Sequence, residues 1–176
     1  MNILKKTLLM VLVILAFTSC KKDEEKVDND GTVITTGHAG GATCSPKYVA
    51  TSAEGKLDKN IFKVVSVTAS DDYFDNTKFR ITFNDVALVS GKCYVANSTV
   101  QRTITVGVKK EVGVYNLSSD NSVTFSTIKT GSTVLDVIQC GQIEIMSISA
   151  TEITGRIHAK GDENNLNGTF VAKYCK

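Results

Sequence analysis

The chain of 176 residues is long enough for one domain of ordinary size with short flanking segments. Hydrophobic residues make up 42% of it and charged residues 22%, which predicts a packed core and excludes a wholly disordered chain. Twenty basic residues against 18 acidic ones leave a formal net charge of only +2, so we expect no nucleic-acid partner.

The first 19 residues are typical of a lipoprotein signal peptide. Lys5 and Lys6 supply positive charge, and residues 8–17 form an unbroken apolar run of ten residues. A membrane-spanning helix needs about 20 apolar residues, so the run fits the core of a signal peptide better. Small residues then precede Cys20, in the pattern that lipoprotein signal peptidase recognises, although Phe17 stands where an aliphatic residue is usual. We expect cleavage before Cys20 and a lipid anchor on it; the alternative is an ordinary secretory signal.

Residues 20–43 comprise the lipidated cysteine and a predicted flexible, acidic tether. The segment has few large apolar residues and no periodicity, so nothing in it predicts a packed element. The acidic cluster 23–25, shortly after Cys20, resembles the signal that exports Bacteroidetes lipoproteins to the outer face of the outer membrane. We therefore expect an outer-membrane protein, lipid-anchored and facing the cell surface, with a periplasmic orientation as the alternative.

Residues 44–176 show the pattern of an antiparallel, all-β domain. Apolar and polar residues alternate with period two, and β-branched residues are frequent. The predicted strands cover residues 78–84, 103–108, 142–148, 153–159 and 168–175. Polar turns at short spacing favour a β-sandwich or a small open barrel. Residues 52–65 differ, because Leu57, Ile61 and Val64 fall at helical spacing and allow a short helix or an irregular segment.

Four cysteines remain in the predicted domain if Cys20 is lipidated: Cys44, Cys93, Cys140 and Cys175. An even number in an exported domain predicts two disulfides, and three pairings are possible; free or partly paired thiols are the alternative. If the last three strands form a meander, Cys140 and Cys175 lie at opposite ends of it, more than about 20 Å apart, which disfavours that pair. Of the two remaining sets, the favoured one joins Cys44 to Cys175 and Cys93 to Cys140.

The candidates for ligand binding lie in one acidic segment before the strand at 78–84. Tyr73 and Phe74 are aromatic residues in this predicted turn and are candidates for stacking against a sugar or another small ligand. A calcium site is an alternative for the same segment, because calcium binds oxygen-bearing side chains, although the spacing matches no EF-hand loop. The favoured interpretation is a charged, solvated turn. The four candidate calcium ligands are Asp71, Asp72, Asp75 and Asn76.

The sequence assigns no catalytic residue, and we expect no cofactor or metal. Nucleophilic catalysis needs a serine or cysteine with a histidine and a carboxylate, and the only histidine in the predicted β domain is His158, within a strand. No Gly-x-Ser-x-Gly motif and no phosphate-binding glycine loop is present. We therefore expect a non-catalytic binding or structural module with an unknown protein or glycan partner. The alternative is a small-ligand or glycan-binding domain that uses exposed aromatics, and an enzyme comes third.

The C-terminal half carries a set of strand and turn motifs within residues 103–175. They are Gly113-Val114-Tyr115-Asn116-Leu117, Gly141-Gln142-Ile143-Glu144-Ile145, the strand at 153–159 and the ending Leu166-Asn167-Gly168-Thr169-Phe170-Val171-Ala172-Lys173-Tyr174-Cys175. This set resembles a family of Bacteroidetes lipoproteins with a C-terminal all-β domain of unknown function. The resemblance implies an all-β lipoprotein without assigned catalytic residues, and it implies nothing about mechanism.

Overall fold

A computed structural model describes residues 26–27, 32–35, 47–129 and 132–176 of the chain. The described residues form 13 strands of one sheet. No helix that is long and apolar enough to cross a membrane occurs in this part of the chain. The strands are β1 (Lys26–Val27), β2 (Thr32–Thr35), β3 (Glu54–Leu57), β4 (Asn60–Lys63), β5 (Ser66–Asp71), β6 (Lys78–Asn84), β7 (Val100–Lys109), β8 (Gly113–Asn116), β9 (Val123–Lys129), β10 (Ser132–Ile138), β11 (Gly141–Ile148), β12 (Glu152–Lys160) and β13 (Asn165–Tyr174).

Nine strands form a curled, open sheet with the shape of a half-barrel, which confirms the predicted all-β class. Their order is β10-β9-β7-β6-β5-β13-β12-β11-β8. Neighbours in this order are antiparallel, except that β5 and β13 run parallel. The predicted strands correspond to β6, β7, β11, β12 and β13, and the last three of these form the predicted meander.

Alternation along the strands places the core on one face of the sheet, here called the inner face. Phe79, Ile81 and Phe83 of β6 are almost completely buried on this face. The two halves of the sheet meet in the core where the rings of Phe83 and Phe170 pack edge to face, with centroids 5.3 Å apart. Gly155 makes room for this contact, because a Cβ atom there would lie 2.6 Å from the Phe170 ring.

Residues 54–63 form a β-hairpin, so the expectation of a helix or an irregular segment at 52–65 is wrong. β3 and β4 pair in register through a two-residue turn, Asp58-Lys59, in which both residues have positive φ (53° and 64°). Two such residues in a row are typical of the tight turns that match the twist of a hairpin. Leu57 is buried but Ile61 is 70% exposed, so the helical spacing of these residues did not reflect a shared apolar face.

The structure joins Cys93 to Cys175, with their Cα atoms 6.1 Å apart. The favoured pairing of Cys44 with Cys175 and Cys93 with Cys140 is therefore wrong, whereas the rejection of a Cys140–Cys175 bond is confirmed. Cys140 is also disulfide-bonded. The position of Cys175 results from the parallel pairing of β13 with β5. This pairing brings the C-terminus beside Ala69, whose carbonyl accepts the Cys175 backbone N–H at 2.7 Å.

The predicted signal peptide, most of the predicted tether including Cys20, and Cys44 of the predicted β domain lie outside the described residues. Two short stretches of the tether range are strands: β2 pairs in parallel with β10, and β1 pairs with β2. The lipidation of Cys20 and the domain boundary at residue 44 therefore stay predictions.

The disulfide predicts both a cross-linked peptide and a loss of stability. Peptide mapping of the unreduced protein should recover Cys93 linked to Cys175. The double variant Cys93→Ser, Cys175→Ser should lower the free energy of unfolding by about 4 kcal/mol, because the bond constrains a long loop, of sequence separation 82, in the unfolded chain. Urea unfolding measures this difference. Recovery of a peptide that links Cys93 to Cys140 would contradict the structure.

Candidate functional site

A groove of about 340 Å³ crosses the outer face of the sheet, at one end of β6, β7 and β9. Its volume falls within the range of small-ligand sites, roughly 300–1,000 Å³. We call it the Phe74 groove. It is lined by Asp72, Phe74, Asp75, Lys78, Arg80, Thr105, Gly107, Asp120, Ser122 and Thr124.

The floor of the groove consists of strand residues that alternate with the core. Arg80 lies between two buried residues of β6, and Gly107 lies between two buried residues of β7. The register pairs Arg80 with Gly107 directly. Because successive side chains point to opposite faces of a sheet, the same alternation that builds the core also places these residues on the outer face.

The first wall of the groove is the turn at residues 72–77, between β5 and β6. Asp72 Oδ1 accepts the backbone N–H of Phe74 at 2.9 Å and that of Asp75 at 3.2 Å, which closes an Asx turn. This turn projects Phe74, whose side chain is 88% exposed. Tyr73 is equally exposed but does not line the groove; its ring packs edge-on against Phe74, with centroids 5.1 Å apart. The predicted exposure of both aromatics is confirmed.

Lys78 connects this wall to the second one, the loop at residues 118–122 before β9. Its Nζ donates a hydrogen bond to the backbone carbonyl of Asp120 at 3.1 Å and lies 3.6 Å from Asp75 Oδ2. Asp75 Oδ1 also accepts hydrogen bonds from the hydroxyl and the backbone N–H of Thr77, at 2.5 and 3.0 Å. These hydrogen bonds from Thr77, with the charge of Lys78, hold the pKa of Asp75 below its ordinary value.

Several polar groups in the groove have no partner within the described residues. Arg80 is exposed and makes no hydrogen bond or ion pair there, and the carboxylate of Asp120 accepts no hydrogen bond there. The side-chain hydroxyls of Thr105, Ser122 and Thr124 also make no hydrogen bond within the described residues. The groove thus presents a guanidinium, a carboxylate and three hydroxyls that are available to a ligand.

Gly107 leaves the floor of the groove open. A Cβ atom built at this position has no heavy atom within 4 Å, and the backbone is outside the left-handed region. Glycine inside a strand costs roughly 0.5–1 kcal/mol relative to alanine, and it often marks a place where a ligand or another backbone comes close. Neither packing nor backbone conformation requires glycine at this position. What glycine provides here is free space above the strand.

The structure does not bring the four candidate calcium ligands together. Asp71 ends β5 on the opposite side of the strand from Asp72. Its Oδ1 accepts hydrogen bonds from Lys110 Nζ and the Tyr174 hydroxyl, both at 2.8 Å, and these two hydrogen bonds lower the pKa of Asp71. Asp72 and Asp75 instead bind groups of their own turn. Among the described residues there is no group of three or more His, Cys, Asp or Glu that could hold a metal ion.

His158 lies on the outer face of β12, away from the groove. It is half-buried, and no described group hydrogen-bonds to its Nδ1 atom. Burial, together with the charge of Lys160, lowers the pKa of His158. Its cross-strand neighbours Gln142 and Asn167 supply neither a nucleophile nor a carboxylate, so they do not complete a catalytic triad with it.

The chain that precedes β3 packs over part of the outer face in the other half of the sheet. Arg156 stacks on the ring of Tyr48 at 4.3 Å and donates a hydrogen bond from Nε to Glu144 Oε2 at 2.5 Å. Asn167 binds the backbone on either side of Tyr48, through Lys47 O at 2.8 Å and Val49 N at 3.2 Å. Arg156 and Glu144 are thus paired with each other, whereas Arg80 and Asp120 of the Phe74 groove form no ion pair within the described residues.

Comparisons of this chain with protein-family models, with curated proteins and with solved structures found no match. The resemblance of residues 103–175 to a lipoprotein family therefore stays a prediction. A function has to be inferred from the geometry and chemistry of the groove itself. Of the groove residues, the sequence analysis pointed only to those of the turn. Gly107 could also have been noticed, since it stands at an outward position of a regular strand where a polar residue is expected.

Two glycines in opposite halves of the sheet should respond to alanine in opposite ways. Gly107→Ala should raise the free energy of unfolding by about 0.5 kcal/mol, because the space is open and alanine suits a strand better. Gly155→Ala should lower it by about 2 kcal/mol or more, because its Cβ would lie 2.3 Å from the Glu144 carbonyl oxygen. Urea unfolding of both variants provides the comparison. A Gly107→Ala variant that loses as much stability as Gly155→Ala would show that the floor is not open.

Proposed function

We propose that this chain is a non-catalytic lipoprotein of the outer membrane, anchored through Cys20 and facing the cell surface, which binds its ligand in the Phe74 groove. The signal-peptide pattern before Cys20 and the resemblance of the C-terminal half to Bacteroidetes lipoproteins support the anchor and the location. The observation that carries the binding function is the groove itself, where an exposed aromatic ring stands beside polar groups that the described residues leave unpartnered.

The state of Asp72 and Asp75 favours binding over catalysis. A general acid or base works best with a pKa near the operating pH, whereas hydrogen bonds from Thr77 lower the pKa of Asp75. The Oδ1 atom of Asp72 accepts hydrogen bonds from two backbone N–H groups of its own turn. His158 is on a different part of the sheet. These carboxylates therefore act as parts of the wall that holds Phe74 in place.

A glycan or another small ligand is the second, more specific candidate, and the shape of the site favours it. Interfaces with proteins use broad patches, whereas this groove has the volume of a small-ligand site. The ring of Phe74 offers an apolar face against which the C–H face of a sugar can pack. The open hydroxyls of the floor lie close by, so one ligand could contact both.

The anchor predicts a specific loss of lipid. In cells, Cys20→Ala should carry no acyl groups, keep its signal peptide and be absent from the outer membrane. The reason is that Cys20 both carries the lipid and defines the position of cleavage. Mass spectrometry and membrane fractionation measure this. Lys21→Ala is the matched control and should be processed as the wild type. Normal processing and outer-membrane location of Cys20→Ala would refute the anchor.

The two aromatics of the turn should differ in their effect on binding. On a glycan array, with protein produced from Lys21 onward, Phe74→Ala should weaken binding by roughly tenfold, since an aromatic contact contributes up to about 1.5 kcal/mol. Tyr73→Ala should cost less, because Tyr73 touches Phe74 but not the groove. A Phe74→Ala variant that binds as tightly as the wild type would exclude Phe74 from the site.

A further inference from the structure

We infer that the Phe74 groove binds a neutral, polyhydroxylated ring, an uncharged sugar unit, seated between the side chain of Phe74 and the open floor at Gly107. This ligand class rests on the proposed function, because it names what the same site binds. Three features of the groove support it: the space above Gly107, the donors and acceptors around that space, and the balance of charge.

The space above Gly107 is where a ring would sit. Gly107 lies on the outer face of β7, directly beside Arg80 in the register of β6 and β7. The absence of a side chain there lets a ligand reach the strand itself, and nothing within 4 Å would oppose even a Cβ atom. Phe74 lines the same groove from the first wall. An aromatic wall beside a glycine floor suits a ring that packs an apolar C–H face against Phe74.

The polar groups around this space can serve a ligand hydroxyl both as hydrogen-bond donors and as hydrogen-bond acceptors. Arg80 has only donors, and the carboxylate of Asp120 has only acceptor oxygens. A hydroxyl group can accept from the first and donate to the second at the same time, so neighbouring hydroxyls on a ring satisfy both residues. Thr105, Ser122 and Thr124 add three hydroxyls that can serve either way. An apolar ligand would leave Arg80 and Asp120 desolvated and unpaired, which is unfavourable.

The charges of the groove oppose a charged ligand. Three carboxylates and two cations line it, and the Lys78 ammonium is already close to Asp75. A carboxylate or phosphate placed on Arg80 would also face the unpaired carboxylate of Asp120. A cation placed on Asp120 would in turn face Arg80. A neutral ligand avoids both repulsions and still uses both groups.

The decisive variant is Gly107→Val, which fills the floor without disturbing the fold. A β-branched residue suits a strand, and the space is free, so the unfolding temperature should be unchanged or higher. Thr68→Val, on β5 outside the groove, is the matched control. On an array of neutral and uronate-bearing oligosaccharides, the wild type from Lys21 onward should bind neutral ones. Gly107→Val should lose at least tenfold in affinity, and Thr68→Val should bind as the wild type.

The other outcomes overturn the inferred ligand class in distinguishable ways. If only uronate-bearing oligosaccharides bind, and Gly107→Val abolishes that binding, the groove is the site but its ligand is not neutral; the proposed function then survives. If neutral binding persists in a folded Gly107→Val variant, the ring does not sit on this floor. If the wild type binds no oligosaccharide, the sugar class is wrong. The proposed anchor is tested independently by Cys20→Ala.

Discussion

The parallel pairing of β13 with β5 joins the two halves of the half-barrel, and the rest of the structure depends on it. The two strands share only two register pairs, so the junction needs further support. Beside the pairs, the Cys175 backbone N–H donates to Ala69 O at 2.7 Å, and the Cys175 side chain is bonded to Cys93. On the inner face, Phe83 and Phe170 pack edge to face across the same junction. Backbone, disulfide and core contacts thus converge on one short strand pair.

The same junction also holds the wall of the groove. Asp71, the last residue of β5, accepts a hydrogen bond from the hydroxyl of Tyr174, near the C-terminus. The Asx turn that presents Phe74 begins at the next residue, Asp72. The position of the aromatic ring relative to the floor at Gly107 is therefore tied to the pairing of the two halves. In the other half of the sheet the chain before β3 packs over part of the outer face, around Arg156. The Phe74 groove is open, and we propose that it binds a ligand.

The alternation of apolar and polar residues predicts individual strands. It does not predict features that depend on which distant strands pair with each other. The strand at 78–84 is confirmed with the same bounds, because buried apolar residues alternate with polar residues of the outer face as far as Phe83. The hairpin at 54–63 escapes prediction, because its turn contains none of the glycine or asparagine residues that mark such turns. The disulfide and the groove both depend on sheet order. Exposure of Phe74 is predictable from a polar turn, but only the order β6-β7-β9 places Gly107 and Asp120 around it.

The central claim is that the outer-face groove under Phe74 is where this protein binds its ligand. The most direct measurement is a map of backbone amide chemical shifts by NMR while a neutral oligosaccharide is added. We predict that the shift changes are confined to the turn at 72–77, to Gly107 and its neighbours in β6, and to the loop at 118–122. Saturable changes that cluster instead around Tyr48 and Arg156, with the groove amides unmoved, would contradict the account.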